Sequence, residues 1–153
     1  PGELAIRSPA LFSGYWNDPE ANKNDFKGGW FHMGDVFRRN SNGTLSFVDR
    51  RKYLIKSGGE NIYPAEIERI ILADPRVIDA AIVRKEHPHW GEVPVAFVVR
   101  KDESLSQEAV LDLFTSQLGR YKRPKEIHFL LENELPRSTT GKIMRHILED
   151  RLK

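Results

Sequence analysis

Apolar positions are spaced differently in the first third of the chain and in the remainder. In the first third, short apolar runs are separated by Gly, Asn and Asp. Asn42-Gly43 lies between two such runs, 37–39 and 44–48, and this pattern predicts a β-hairpin. A short helix is predicted over 20–26, because the preceding Asp18-Pro19 pair supplies a cap and a favoured first residue. We therefore expect a β-rich segment with one helix here.

Longer apolar segments begin after residue 52. Pro64 predicts the start of a helix in which Ile67, Ile70 and Ile71 share one face. The remaining predictions are strands over 53–55, 77–83, 93–99 and 127–131, and helices over 107–118 and 143–152. The two later helices are expected to bury Leu111, Phe114, Leu118, Ile143, Ile147 and Leu148. Strands mixed with helices in this order predict an α+β lobe, a mixed sheet with flanking helices.

Composition narrows the function classes. The chain has 153 residues, of which 39% are hydrophobic and 30% charged, as is typical of a globular domain. The net charge is only +2, and basic and acidic residues are interspersed, so nucleic acid is not an expected partner. The absence of cysteine excludes disulfides, thiol catalysis and cysteine–zinc sites. His87 and His89 flank a proline, which favours a loop, and no metal site is predicted.

Two further expectations concern the cell and the extent of the chain. The sequence contains no signal peptide and no apolar run long enough to span a membrane, so a cytoplasmic location is expected. The chain opens with Pro1-Gly2-Glu3 instead of an initiator methionine, which favours a fragment or a processed piece.

Lys142 is a candidate anion-binding residue. It follows a Ser-Thr-Thr-Gly turn, which is expected to be flexible, and precedes the predicted terminal helix, where a mobile cation suits a carboxylate or a phosphate. The segment is not a phosphate-binding P-loop, because Pro136 stands where that motif has its first glycine and Ile143 replaces Ser or Thr. Taken alone, the segment favours a solvated lysine.

Three other positions allow a binding interpretation and a structural one. Asp35 follows Gly34 and could accept hydrogen bonds from a ribose diol, or could be a turn residue. Arg50 could hold a diol or a phosphate through its planar guanidinium, or could belong to a solvated linker. The loop containing Gly58-Gly59 can approach a ligand closely, because glycine has no side chain.

Aromatic residues also lie next to cations. Trp90 falls between two predicted strands, and Tyr121 is followed closely by Arg123 and Lys125. Such a group could stack a purine and hold its phosphates. It could equally be a rim of half-buried aromatics beside a solubilising basic run.

The combination of motifs resembles the adenylate-forming enzymes, the superfamily of acyl-CoA synthetases, peptide-synthetase adenylation domains and luciferases. The matching motifs are, in order, Gly29-Trp30-Phe31-x-x-Gly34-Asp35, Asp49-Arg50-x-Lys52, Lys56-x-Gly58-Gly59-x-Asn61-Ile62-x-Pro64-x-Glu66-Ile67-Glu68 and Leu135-Pro136-x-x-x-x-Gly141-Lys142-x-x-Arg145. The resemblance covers almost the whole chain. It is closest to acyl-CoA synthetases, with the segment from Asn61 to Glu68 as the strongest indication.

The resemblance implies a two-step reaction and a two-domain enzyme. Such enzymes activate a carboxylic acid with Mg-ATP as acyl-AMP and then transfer the acyl group to the thiol of CoA. A large N-terminal domain holds most of the site, and a small C-terminal lid rotates between the steps. Residues 1–51 would be the last segment of the large domain and 52–153 the lid. ATP and Mg would be bound mainly by the rest of the large domain, which this chain lacks, so the chain alone is expected to be inactive.

The resemblance also assigns roles to single residues. Asp35 and Arg50 match nucleotide-binding positions, Lys52 matches the hinge, and Lys142 matches the lysine that bridges the substrate carboxylate and the α-phosphate. The expected CoA-binding positions are Gly58 and Gly59 along the pantetheine tunnel and Trp90, Tyr121, Arg123 and Lys125 near the CoA nucleotide. Met33 departs from the family pattern, in which threonine or serine is commoner, so a hydroxyl contact is lost there.

Two alternatives remain. The chain could be the lid of an adenylation domain that loads a carrier-protein thiol, or a stand-alone interaction module. For an acyl-CoA synthetase, the expected small-molecule partners are a carboxylic acid, ATP and CoA. Residues 1–51 are expected to be less ordered than the lid, or to self-associate with a neighbouring copy.

Overall fold

The computed structural model describes all 153 residues and divides them into two compact units, Pro1–Lys52 and Tyr53–Lys153. Each unit has its own β-sheet, and the chain contains nine strands and four α-helices. The predicted α+β fold class is confirmed. The division falls one residue after the position that the sequence indicates.

The first unit is an antiparallel sheet built around one long strand. Its elements are β1 (Gly2–Ile6), α1 (Pro19–Asp25), β2 (Phe26–Lys27), β3 (Trp30–Arg39) and β4 (Leu45–Arg50). Strand β3 pairs with all three other strands. The predicted helix and hairpin are confirmed. Asp18 caps α1 by accepting a hydrogen bond from the Ala21 backbone nitrogen at 2.9 Å, and the hairpin between β3 and β4 turns at Gly43.

The second unit is a five-stranded sheet with helices on both faces. Its elements are β5 (Ile55–Ser57), β6 (Glu60–Ile62), α2 (Pro64–Leu72), β7 (Val77–His87), β8 (Gly91–Arg100), α3 (Gln107–Asp112), β9 (Glu126–Leu130) and α4 (Arg145–Asp150). Strand β8 is central: it pairs antiparallel with β7 and β5 and parallel with β9. Short 3₁₀ turns cover Arg51–Tyr53, Arg120–Lys122 and Glu132–Glu134.

Both faces of the second sheet are buried. Side chains of a strand point alternately to opposite faces, so Ala96 and Val98 join the core beneath α2 and α3. Val95, Phe97 and Val99 join a second core, which includes Leu135 and Leu148 of the C-terminal segment. Burial on both sides explains why β8 is a continuous apolar run in the sequence.

Several local predictions are wrong. The strand predicted over 53–55 is a 3₁₀ turn followed by β5, and the expected loop at 57–61 is the tight turn of the β5–β6 hairpin. The helix predicted over 107–118 ends at Asp112 and includes Leu111, which is 40% exposed instead of buried. The turns that follow the helix bury Phe114 and Leu118. Apolar spacing of three to four residues fits an α-helix and a series of tight turns equally well, because both return to the same side at this interval.

Candidate functional site

Lys142 lies in an ordered hairpin that precedes helix α4. Arg137 and Ile143 form an isolated antiparallel bridge. Within it, the Ser138 nitrogen donates to the Lys142 carbonyl and the Gly141 nitrogen to the Ser138 carbonyl, both at 2.8 Å. Gly141 has φ of +79°, a left-handed conformation that favours glycine. The turn is therefore closed by its own hydrogen bonds, whereas the sequence indicated a flexible one.

The position of Lys142 also differs from the prediction. Helix α4 begins at Arg145 and has six residues, so Lys142 is in the second arm of the hairpin and not at a helix start. The predicted helix over 143–152 starts too early because Ile143 is held extended by its bridge to Arg137. The Lys142 side chain is exposed and forms no ion pair, which leaves its ammonium group accessible to a ligand.

Behind this hairpin, Arg145 is held in a nearly buried network. Its Nη2 atom lies 2.6 Å from Glu68 Oε1, and the two side chains are only 16% and 13% exposed. The same Glu68 oxygen accepts a hydrogen bond from the Ile82 nitrogen at 2.8 Å. The Arg145 guanidinium also lies 4.5 Å from the centre of the Tyr53 ring, a cation–π distance. Residues of separate sequence motifs, Glu68 and Arg145, thus meet in the fold.

Asp35 and Arg50 are paired across strands β3 and β4. Arg50 Nε lies 2.7 Å from Asp35 Oδ1, which makes an ion pair, but the N–H is not aligned with the oxygen. Asp35 Oδ1 is therefore buried without a hydrogen-bond donor. A buried carboxylate oxygen without a donor is unusual, and it fits a residue whose partners come from a ligand hydroxyl.

A cavity of about 370 Å³ lies in the first unit beside this pair, lined in part by Met33, Gly34 and Arg50. Its wall includes Glu3, which the sequence patterns did not single out. Glu3 Oε2 lies 2.9 Å from an Arg51 guanidinium nitrogen and 3.3 Å from a His32 ring nitrogen. Only the antiparallel pairing of β1 with β3 brings Glu3 to this position.

Lys52, the predicted hinge, is exposed within the 3₁₀ turn Arg51–Tyr53. It is the last residue of the first unit. Hinges are a few loop or turn residues that absorb backbone rotation, and the hinge role of Lys52 stays a prediction.

An open groove of about 420 Å³ lies in the second unit and contains most of the predicted CoA-binding residues. Its lining residues are Ser57, Gly58, Glu60, Trp90, Arg120, Tyr121 and Lys125. The sequence missed three of these, Ser57, Glu60 and Arg120. Arg120 could have been found from its position directly before Tyr121, whereas the other two depend on the β5–β6 hairpin.

Gly58 and Gly59, the two glycines of that hairpin, have different neighbours. Both have left-handed backbones, with φ of +57° and +85°. The Gly58 nitrogen donates to the Trp90 carbonyl at 2.8 Å, and a Cβ on Gly58 would lie 2.9 Å from the Trp90 ring. A Cβ on Gly59 would meet nothing within 4 Å. Gly58 thus makes room for the indole, and only Gly59 faces open space.

Arg123 does not line the groove. Its Nε atom donates to the Leu118 carbonyl at 3.2 Å and its Nη2 atom to the Thr115 carbonyl at 3.1 Å. These carbonyls belong to the turns that follow α3, so the guanidinium satisfies backbone acceptors there. The arginine that lines the groove is Arg120.

The structure bears on metal binding and on membrane spanning as follows. No group of three or more His, Asp or Glu side chains is arranged to hold a metal ion. None of the helices has the length and apolar character required to cross a bilayer.

Comparison with known proteins identifies the family. A model described as the AMP-binding enzyme C-terminal domain matches residues 66–142. The long-chain-fatty-acid–CoA ligase FadD13 of Mycobacterium tuberculosis is 40% identical over 149 residues, 97% of this chain and 29% of that protein. The 2-succinylbenzoate–CoA ligase of Geobacillus kaustophilus is 42% identical over 149 residues, 97% of this chain and 30% of that protein. The o-succinylbenzoate-CoA synthetase of Bacillus subtilis, solved with the acyl-adenylate OSB-AMP, matches with a TM-score of 0.88 and 37% identity, covering 97% of this chain and 30% of that one.

The chain spans about three tenths of the length of these relatives. The family model covers half of the chain, including Lys142 as its last matched residue. The sequence motifs, the fold and this match agree, and the chain belongs to the AMP-binding enzyme C-terminal domain family of the adenylate-forming superfamily.

Proposed function

We propose that the chain is the C-terminal part of an AMP-forming acid–thiol ligase that converts a carboxylic acid, ATP and CoA into an acyl-CoA. The observation that carries this proposal is the presence, in one compact unit, of an unpaired lysine on an ordered hairpin and of an aromatic groove with two cations. The exposed lysine suits the transfer of an adenylyl group, and the groove suits the binding of CoA, a nucleotide that carries a thiol.

Lys142 acts in the first step of this proposal. A carboxylate oxygen attacks the α-phosphorus of ATP, the bond to pyrophosphate breaks, and acyl-AMP forms. Negative charge develops on the phosphoryl oxygens in the transition state. The exposed ammonium of Lys142 stabilises that charge, and removal of such a contact typically lowers a rate by about 10²–10³.

The groove acts in the second step. The CoA thiol sulfur attacks the acyl carbonyl of acyl-AMP, the mixed-anhydride bond breaks, and AMP leaves. Trp90 and Tyr121 offer rings against which the adenine of CoA can stack. Arg120 and Lys125 line the same groove and suit its phosphates. Arg123 supports the groove indirectly through its backbone contacts.

Asp35 and Arg50 bind the nucleotide in this proposal, with the ribose hydroxyls donating to the carboxylate. Lys52 is the hinge, and residues 52–153 form a lid that rotates between the two steps relative to the large domain, of which residues 1–51 are the last segment. ATP and Mg would be held mainly by residues outside this chain. The related synthetase of Bacillus subtilis has been solved with ATP and a magnesium ion, which supports the same co-substrates here. The proposed location is the cytoplasm, because ATP and CoA are available there.

The proposal is tested by separating the two steps in the protein expressed from its complete open reading frame. Lys142→Ala should abolish acyl-AMP formation, followed as carboxylate-dependent pyrophosphate exchange. Thioester formation from presynthesised acyl-AMP and CoA should be largely retained. Equal loss of both steps would exclude the role given to Lys142.

The same protein distinguishes the alternatives. Acyl transfer to a phosphopantetheinylated carrier protein, with none to free CoA, would identify a carrier-loading adenylation domain. Absence of both steps with every acid tested would favour an interaction module. The groove favours CoA, because a carrier-bound pantetheine has no adenine to stack between Trp90 and Tyr121.

A further inference from the structure

A second arginine controls the backbone beside Lys142. Arg137 lies on the opposite arm of the hairpin, and its Nη1 atom donates to the Gly141 carbonyl at 2.6 Å. Its Nη2 atom pairs with the carboxylate of Asp79 on strand β7. The Arg137 guanidinium therefore connects the peptide group between Gly141 and Lys142 to strand β7 of the second unit. Asp79 lies outside the sequence motifs quoted above, and Arg137 stands at a position that the last of those motifs leaves unspecified.

Asp79 is itself fixed in place. The pairing of β7 with β8 shifts register between Val77 and Asp79, and such irregularities redirect side chains. Asp79 Oδ1 accepts a hydrogen bond from the Ala80 backbone nitrogen at 2.8 Å. The other oxygen remains for Arg137. The carboxylate is 23% exposed, so it is less screened by water than a fully exposed partner.

Packing already holds the arms of the hairpin, because Leu135 is buried in the second core and Ile143 packs against that core. The hydrogen bonds that close the turn join only residues of the hairpin, so the contact of Arg137 with strand β7 adds a separate polar attachment at the Gly141 carbonyl. Arg145 anchors the chain after Lys142, through Glu68 and the Ile82 carbonyl. Arg137 anchors the residue before Lys142. With both sides attached to β7 and its neighbours, the remaining freedom of Lys142 is that of its side chain.

We propose that Arg137 is a positioning residue for Lys142, acting through the Gly141 carbonyl and anchored by Asp79. The inference rests on the proposed adenylation role of Lys142. Its physical basis is that a displacement of about 1 Å in a reacting group can lower a rate by orders of magnitude. Arg137 touches neither substrate nor nucleotide in this arrangement and affects only the first step.

The test compares variants of the protein expressed from its complete open reading frame. Arg137→Gln should lower kcat for acyl-AMP formation about fivefold, the scale of one partly exposed ion pair, with KM for ATP unchanged. Thioester formation from presynthesised acyl-AMP should be unaffected. Asp79→Asn should have the same effect, and the double variant should be no slower than either single variant. Arg137→Lys keeps the charge but has a single nitrogen in place of the planar fork that reaches both acceptors, so it should recover only part of the rate.

Arg84→Gln is the matched control. Arg84 lies on β7, pairs with Glu149 at 3.2 Å, and these side chains are 38% and 23% exposed, close to the values of 44% and 23% for Arg137 and Asp79. Its removal should leave both steps unchanged. Equal loss of both steps in Arg137→Gln, additive effects of Arg137→Gln and Asp79→Asn, or an unchanged first step would overturn the inference. If acyl-AMP formation is unchanged in Arg137→Gln but lost in Lys142→Ala, the proposed function stands and only the role of Arg137 is excluded.

Discussion

The indole of Trp90 occupies the space that a side chain on Gly58 would need. The two residues are joined by a backbone hydrogen bond of 2.8 Å, and a Cβ on Gly58 would lie 2.9 Å from Cε3 of the ring. The position of the aromatic wall of the groove therefore depends on a missing side chain in the neighbouring hairpin. Gly59, one residue later, has no such neighbour and provides a direct comparison.

Gly58→Ala and Gly59→Ala should separate backbone strain from displacement of Trp90. Alanine in a left-handed conformation costs about 1–2 kcal/mol, so both variants should lower the free energy of unfolding by a similar amount. Gly58→Ala should also weaken CoA binding by the 153-residue chain more than Gly59→Ala does, measured by calorimetry, because Gly58 lines the groove and contacts Trp90. Equal CoA affinities of the two variants would contradict the contact between Gly58 and Trp90 as a determinant of the groove.

Trp90→Ala should weaken CoA binding through loss of stacking. Base–aromatic stacking contributes about 1–3 kcal/mol per base, which corresponds to a rise in Kd of about fivefold to 150-fold. Quenching of tryptophan fluorescence on addition of CoA should disappear in the same variant. Trp16→Ala is the control, because Trp16 is 98% exposed and lies in the other unit. Quenching lost with Trp16 instead of Trp90 would place the nucleotide elsewhere.

Arg145→Ala should destabilise the second unit strongly. It would remove the arginine that faces the Glu68 carboxylate, which is 13% exposed, and breaking a nearly buried pair in this way costs about 3–5 kcal/mol. Urea unfolding measures the loss. Adding Glu68→Gln to Arg145→Ala should restore part of the stability, because a nearly buried charge is removed. Arg151→Ala, an exposed arginine that donates to the Glu134 carbonyl at 3.0 Å, should change stability by less than about 0.5 kcal/mol.

Asp74→Asn should reduce stability at neutral pH but not in acid. Hydrogen bonds from the Arg76 side chain lower the pKa of Asp74 from 3.8 to about 2. A carboxylate with a lower pKa in the folded state stabilises the fold above its unfolded pKa, and this contribution is lost as the pH falls through the folded pKa. We expect a loss of about 1–2 kcal/mol at pH 7, since Arg76 is 40% exposed and partly screened.

The measurement for Asp74 is urea unfolding of the chain and the variant over a range of pH. The difference between them should shrink from about pH 4 to about pH 2. Asp150→Asn is the control, because Asp150 is 62% exposed in its pair with Lys153 and solvent screens that pair, so its effect on the curve should be much smaller. A difference that persists undiminished at pH 2 would show that Asp74 acts through its shape and not through its charge.

The sequence by itself determined the family, the fold class and most elements. The α1 cap at Asp18, the hairpin at Gly43 and the apolar face of α2 are local features, and local features are encoded by neighbouring residues. The ends of the later helices were not predictable, because apolar spacing does not distinguish a helix from tight turns. The Lys142 segment was predicted as a flexible turn for a different reason: the backbone hydrogen bonds that close the turn cannot be inferred from its residue types.

The tertiary structure alone decided which residues support the site. Glu68 and Arg145 are 77 positions apart, and Asp79 and Arg137 are 58 positions apart, yet each pair forms one ion pair. The sequence indicated Lys142, but its anchors depend on how strand β7 passes beside the C-terminal segment. Such contacts form only when the sheet packs, because packing sets distances that the order of residues does not contain. The candidate site residues could therefore be identified from the sequence, but their positions in space were decided by the fold.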